Sequence, residues 1–274
     1  MADFWLLEAP DSLASQSQKN ADGFGLAAIT TGEAMMLLRN PVQASEDRDY
    51  NRVARRAEAS QFLVHLRYAN TGAVSLSNTH PFTQDGRTFA HNGIVGDLER
   101  LEHRLGDNLA MVSGETDSER FFALMTLSIR EAGGDVHAGI VAAVRELSEG
   151  YELYSLNFVL GALGDFWAFR YPEHNPLHLL EREPGGGGEG ALDQISSDGT
   201  VRLRSEACSE QRTVVIASER MDDDPRWGEV APGELIHVGA DLEVEREIVL
   251  ADPPRHQMVL SGRTVESQSY ERGD

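Results

Sequence analysis

The chain of 274 residues carries 45 Asp and Glu against 24 Lys and Arg, a formal net charge of -21, with a pI near 4.7. Such a surface repels phosphate backbones, so no nucleic-acid partner is expected, and the single cysteine, Cys208, excludes an internal disulfide framework. No apolar run approaches the roughly 18 residues that span a bilayer, and Phe4-Trp5-Leu6-Leu7 is too short for a signal-peptide core. A cytoplasmic protein without membrane contact is therefore expected. Asp11 and Ser12 are good N-cap residues ahead of a short helix ending near Asn20. Asn20 to Gly25 is a turn cluster, followed by a strand from Leu26 to Ile29. Thr31-Gly32-Glu33 turns into a second strand, Ala34 to Leu38. Asn40 to Ala59 is polar and charged, and is expected to lie over the surface.

Phe62 to Arg67 reads as a strand, as does Thr88 to His91 with its continuation into Asn92-Gly93. Apolar spacing predicts helices over Asp97 to Leu105, Ser118 to Ala132 and Asp135 to Leu147. Phe158 to Ala162 and Phe166 to Arg170 form a hairpin across Leu163-Gly164-Asp165. From Pro172 to Glu210 the pattern breaks down around a four-glycine run at Gly185 to Gly188, which predicts a mobile loop excursion. Strands resume at Thr213 to Ala217, Leu235 to Val238 and Val244 to Leu250, before a polar tail after Pro253-Pro254. Strands at both ends with helices between predict two sheets covered by helices in one domain.

The chemistry concentrates between Arg67 and Asp117. Asn92-Gly93, ending an apolar strand, offers a side-chain amide and a backbone N–H at one point, a pair able to bind a developing oxyanion. Arg67 and Asp117, on either side, can hold the two charged ends of an amino acid. Each residue also has a plainer reading. Asn-Gly alone is most often a hairpin turn, Asp117 can be a helix cap, and Arg67 at a strand end can make an ordinary surface ion pair. His80 and His91 stand open between packing and function. His174 and His178 sit four apart, but Pro176 between them argues against a helix, and no metal site is expected.

Taken in order, Arg67, Asn78-Thr79-His80-Pro81-Phe82, His91-Asn92-Gly93 and Glu115-Thr116-Asp117 resemble the class II glutamine amidotransferases, most closely their stand-alone bacterial members. Asn20 to Gly25, Ala217-Ser218-Glu219, Asp222 to Pro225 and Pro232-Gly233-Glu234-Leu235 match further parts of that pattern. The resemblance runs over roughly residues 4 to 250. It implies an α+β fold, the four-layer αββα sandwich of the N-terminal-nucleophile hydrolases, with residues 1–250 as the amidotransferase domain and 251–274 as a polar tail.

In that family a terminal cysteine attacks the glutamine side-chain amide, and its own α-amino group acts as the base. The resemblance assigns the α-carboxylate to Arg67, the α-ammonium to Asp117 and the oxyanion hole to Asn92 and Gly93, with His80 lining the pocket. No cofactor is implied, and a synthase partner or a homo-oligomer is left open. The chain departs from the pattern at Tyr68-Ala69-Asn70-Thr71, where many relatives have Trp-Ala-Thr-His, and at Met1-Ala2-Asp3, where the family has Met-Cys and a further strand upstream. Cys208 cannot replace that cysteine, because its nitrogen is an amide inside the chain. Two functions fit: a glutamine amidotransferase or γ-glutamyl amide hydrolase whose start lies upstream, or an inactive relative that binds glutamine or a γ-glutamyl compound without cleaving it.

Overall fold

The computed structural model describes residues 3–9, 11–18, 20–29, 35–67, 73–183, 192–195, 202–205 and 212–260. A π-helical turn, Phe4–Glu8, precedes α1 (Leu13–Gln16), whose N-cap Ser12 accepts from the Ser15 N–H. Then come β1 (Phe24–Ile29), β2 (Met35–Asn40), α2 (Arg48–Arg56) and β3 (Gln61–Leu66). The middle of the chain forms β4 (Phe82–Gln84), β5 (Arg87–Val95), α3 (Leu98–Leu105), α4 (Asp117–Glu131), α5 (Val136–Gly150), β6 (Glu152–Gly161) and β7 (Phe166–Arg170). The remainder gives β8 (His178–Arg182), β9 (Leu192–Ile195), β10 (Arg202–Ser205), β11 (Thr213–Ala217), β12 (Gly228–Glu229), β13 (Glu234–Val238), β14 (Val244–Ile248) and β15 (His256–Gln257).

Alternation of side chains across the strands sorts these elements into layers. A seven-stranded sheet runs β14-β13-β7-β6-β5-β4, with β15 added in parallel to β6. One face of it carries Phe89, Phe158, Leu160, Phe169 and Leu235, which pack with α3, α4 and α5 into the largest core. Phe89 stacks on Phe122 at 4.8 Å and meets Phe121 edge-on at 5.3 Å; each such ring contributes about 1.5–3 kcal/mol by its burial. On the other face, Ala90 and Val159 meet Ala27 and Leu63 of the three-stranded sheet β2-β1-β3.

That smaller sheet turns Phe24, Leu26, Phe62 and Val64 outward against Leu6, Tyr50 and Ala54, so α1, α2 and the π-helical turn form the outermost layer. A third sheet, β11-β8-β12, lies over the β7–β13 side of the large sheet, placing Leu179, Val214 and Ile216 against Ala168, Ile236 and Val238. Its outer face packs Leu180 and Val215 with Trp5 and Trp227. The order helix, sheet, sheet, helix is the sandwich the sequence implied.

Three segments differ from their sequence reading. Residues 40–59 are not merely a surface stretch, because Asp47 caps α2 through the Tyr50 N–H at 2.7 Å and α2 buries Tyr50 and Ala54. Within Pro172 to Glu210, β8 is the central strand of its sheet, and its Leu179 and Leu180 are buried on opposite faces. The four-glycine run, Tyr68 to Thr71, Thr31 to Glu33 and Cys208 lie outside the described residues. Of the tail, residues 256–257 pair with β6, and residues 261–274 lie outside the described residues.

Candidate active site

Between the sheets lies a cavity of about 1340 Å³. Every residue of β3 and of β11 borders it, and the large sheet floors it with Ala90, Asn92, Asn157 and Val159. Among the described residues β3 is paired only with β1, and β11 only with β8. Two sheet edges therefore face the same space. Arg67, His80, Asn92, Gly93 and Asp117, singled out from the sequence, all border it.

Arg67 follows β3 and is buried, not a surface residue. Its backbone N–H donates to the Gly23 carbonyl at 2.8 Å, and its Nη2 donates to the Ala73 carbonyl at 3.2 Å. Burial draws its guanidinium below the usual arginine value, partly offset by Asp22. An arginine so displaced still carries its charge. The same Ala73 carbonyl accepts from Asn78 Nδ2 at 3.0 Å, while Asn78 Oδ1 accepts from the Glu115 N–H at 2.8 Å. Asn78 thus joins the Arg67 side of the cavity to the Asp117 side.

Asp117 is the first residue of α4, and the N-cap is its neighbour Thr116, whose hydroxyl accepts from the Glu119 N–H at 3.2 Å. Glu119 reaches back to the N–H groups of Ser113 and Gly114, which fixes the approach to the helix. Asp117 Oδ2 accepts from the Val95 N–H at 2.9 Å, just where a register shift ends β5. The helix start is thereby bonded to the strand that carries Asn92.

Asn92-Gly93 lies inside β5, opposite Asn157 and Leu156 of β6, and makes no hairpin turn. A Cβ on Gly93 would stand 2.0 Å from the Ser155 carbonyl oxygen. That carbonyl also accepts from His91 Nε2 at 3.1 Å, so the His91 Nδ1, 3.0 Å from the Ser118 hydroxyl, is the acceptor of the Ser118 proton. His91 is consequently held on the helical side of the sheet, edge-on to Phe121 at 5.3 Å.

His80 is buried beside Phe82 and packs on His65, with ring centroids 4.2 Å apart. Among the described residues neither of its ring nitrogens has a hydrogen-bond partner. A Cβ on Gly25 would lie 1.8 Å from the His80 carbonyl oxygen, so only glycine lets this segment cross β1. Burial holds all three histidines below the ordinary imidazole value. His65 falls to about 4, with His91 and Arg67 adding to the effect; His80 falls well below its ordinary value, with His65 and His91 beside it; His91 is lowered against the opposing pull of Asp117. Neutral imidazoles leave Arg67 as a concentrated positive charge in this part of the cavity. Among the described residues no cluster of three or more His, Cys, Asp or Glu could hold a metal ion.

Sequence reasoning missed His65, Ser118, Ser155, Asn157 and Asn175 as parts of the site. Asn157 had a usable signal, since it lies two residues before Val159 and so shares its face of the strand. Asn175 had none, because it sits in an irregular stretch between Pro172 and Pro176.

Comparison with known proteins adds three findings. Residues 11–255 match the family model of the glutamine amidotransferases class-II. The chain is 30% identical over 178 residues to YafJ of Escherichia coli (strain K12), which is named as a glutamine amidotransferase; the match takes in 63% of this chain and 67% of YafJ. Two solved structures share the fold. The glutamine phosphoribosylpyrophosphate amidotransferase of B. subtilis aligns with a TM-score of 0.61 at 15% identity, over 88% of this chain and 46% of that one. A glutamine amidotransferase of Pseudomonas aeruginosa aligns at 0.56 and 25% identity, over 81% and 86%.

Proposed function

Because the chain belongs to the class-II glutamine amidotransferases and has their N-terminal-nucleophile fold, we propose that its cavity takes glutamine or a γ-glutamyl compound and cleaves the side-chain amide. Arg67 grips the α-carboxylate with its planar fork, and Asp117 pairs with the α-ammonium. Asn92 Nδ2 and the Gly93 N–H receive the oxygen that becomes negative in the tetrahedral intermediate. One observation carries this: an arginine, an aspartate and an Asn-Gly pair from three separate elements border one cavity.

Cleavage would need the terminal cysteine of the family as nucleophile, acting in the cavity that the edges of β3 and β11 border. The cysteine thiolate attacks the amide carbon, the C–N bond breaks, and ammonia leaves with a proton from the cysteine's α-ammonium. Water then hydrolyses the thioester to the free carboxylate. Losing one oxyanion donor in such a site costs about a hundredfold to a thousandfold in rate.

A second function is binding of glutamine or a γ-glutamyl compound without cleavage. One assay separates the two. Residues 1–274 alone are expected to show no glutaminase turnover, whereas a form extended upstream to Met-Cys is expected to turn over near the common enzyme scale of about one to ten per second. Turnover by residues 1–274 would point to another nucleophile. An upstream stop codon, or an inert extended form that still binds glutamine, would favour the binding protein.

A further inference from the structure

We propose that Asn175 is the positioning residue that holds the Asn92 amide with its NH2 toward the cavity, a role that rests on Asn92 being an oxyanion donor. Asn175 lies between β7 and β8 and is fully buried. Its Nδ2 stands 3.4 Å from the Asn92 carbonyl oxygen and 3.5 Å from Asn92 Oδ1. A planar amide whose oxygen is turned to a donor carries its NH2 along the opposite edge. Asn92 borders the cavity, and the NH2 edge is assigned to it. Turned over, the same side chain would present an acceptor to a developing negative charge and would repel it.

Asn175 is itself held by a ring of buried hydrogen bonds. Its backbone carbonyl accepts from Asn157 Nδ2 at 3.0 Å and from Arg170 Nε at 3.0 Å. Asn157 Oδ1 accepts from the Tyr171 N–H at 3.0 Å and lies 3.1 Å from the Ser155 hydroxyl. That hydroxyl is also 3.2 Å from the Asn92 carbonyl oxygen, so its one proton is shared between the two acceptors and links them. Arg170, buried on the far side, ties the segment down through the Val230 and Glu173 carbonyls. Every member is buried or borders the cavity, so a wrongly turned amide would leave two like groups facing each other at a cost typical of unsatisfied buried polar atoms. The orientation of the Asn92 amide is thus set by a residue from the segment between β7 and β8.

The test is side-chain NMR on the full chain labelled with ¹⁵N-asparagine, with the Asn92 NH2 pair identified by its loss in Asn92→Asp. Asn175→Ala removes the donor, and Asn175→Asp puts an acceptor in its place at nearly constant volume. In Asn175→Ala the Asn92 pair is expected to exchange with solvent about tenfold faster, the scale of one net hydrogen bond. In Asn175→Asp it is expected to shift strongly, as the NH2 turns to the new carboxylate. The NH2 pair of Asn78, on the other side of the cavity, should stay in place and serves as the measure of general loosening. An Asn92 pair that moves no more than that of Asn78 in the variants that fold would overturn the proposal; Asn175→Asp supplies the answer if the alanine variant does not fold. L-glutamine titration of the wild-type protein stands apart from this: absence of binding would sink the proposed function while the NMR signature still decides the role of Asn175.

Discussion

Gly93 has no room for a methyl group, because the Ser155 carbonyl that anchors His91 occupies the place of its Cβ. Gly93→Ala should therefore push β5 from β6 beside Asn92. It is expected to abolish glutamine binding in a calorimetric titration and to lower the melting temperature by several degrees, as overpacking costs about 1–3 kcal/mol. A variant that melts and binds like the wild type would refute the close approach. Arg67 gives a second prediction. Its fork matches a carboxylate in a way that a lysine ammonium does not. Arg67→Lys is expected to weaken glutamine binding at least about tenfold, on the scale of a charge-assisted hydrogen bond, while far-ultraviolet dichroism stays unchanged. Equal binding by the lysine variant would remove Arg67 from the α-carboxylate.

At the scale of elements, β8 shows how a segment without a readable pattern is held. Arg182 at its end bonds Asp224 Oδ2 at 2.9 Å through Nε and Asp222 Oδ2 at 2.7 Å through Nη2, and its guanidinium lies over the Trp5 ring at 5.0 Å. Asp222 also accepts from Trp227 Nε1 at 2.8 Å. Burial pushes the Asp224 carboxyl up, but hydrogen bonds from Arg226 and Arg182 outweigh it and hold the group well below the usual carboxylate range. This cluster joins the π-helical turn, β8 and the loop after β11. Arg182→Ala removes the buried arginine that bridges Asp222 and Asp224 and leaves Asp224 paired with Arg226, a change that costs up to about 3–5 kcal/mol in comparable buried pairs. Urea unfolding should show that loss, with a red shift of tryptophan emission as Trp5 and Trp227 become wetter. A midpoint unchanged from the wild type would mean that the cluster contributes no net stability.

At the scale of the whole molecule, part of the acid sensitivity lies in the histidines around the cavity. In the unfolded chain an imidazole takes a proton near pH 6.5, whereas folded His65 resists until about 4, and His80 and His91 are also shifted down. The unfolded state therefore binds more protons over this window. Stability should fall as the pH drops from about 6.5 toward about 4, by up to about 1.4 kcal/mol per pH unit for each such histidine. His237 works the other way: burial lowers it, but Glu245 and Asp165 raise it further, so it favours the folded state on the acid side. The quantity to read is thus the difference between the wild type and His65→Gln in urea midpoint across that window. Parallel slopes for the two proteins would show that His65 is not held neutral. The cavity gives a further test at this scale. A form extended upstream to Met-Cys should melt above residues 1–274, since a strand between β3 and β11 would supply partners to two edges. A cysteine-to-alanine version of the long form separates packing from chemistry. Equal melting of all three would show that the slot needs no strand.

Read in order, the sequence determined the family pattern, the strand that ends at Arg67, the strand through Asn92 and the helices from Asp97 to Leu147. These are long elements whose apolar periodicity is local and strong, and their polar motifs sit at fixed places on them. It put Asn92-Gly93 at the end of its strand, whereas β5 runs on to Val95, because the same dipeptide makes a turn unless a partner such as Ser155 to Asn157 lies beside it. It did not give α2, whose mostly charged face hides Tyr50 and Ala54, or β8, which owes its place to pairing with β11 and to the Arg182 cluster. The ring of Ser155, Asn157 and Asn175 around Asn92 joins residues far apart in the chain. Such an amide is oriented by whichever donors and acceptors the fold brings within hydrogen-bonding reach, and those neighbours exist only once the chain has folded.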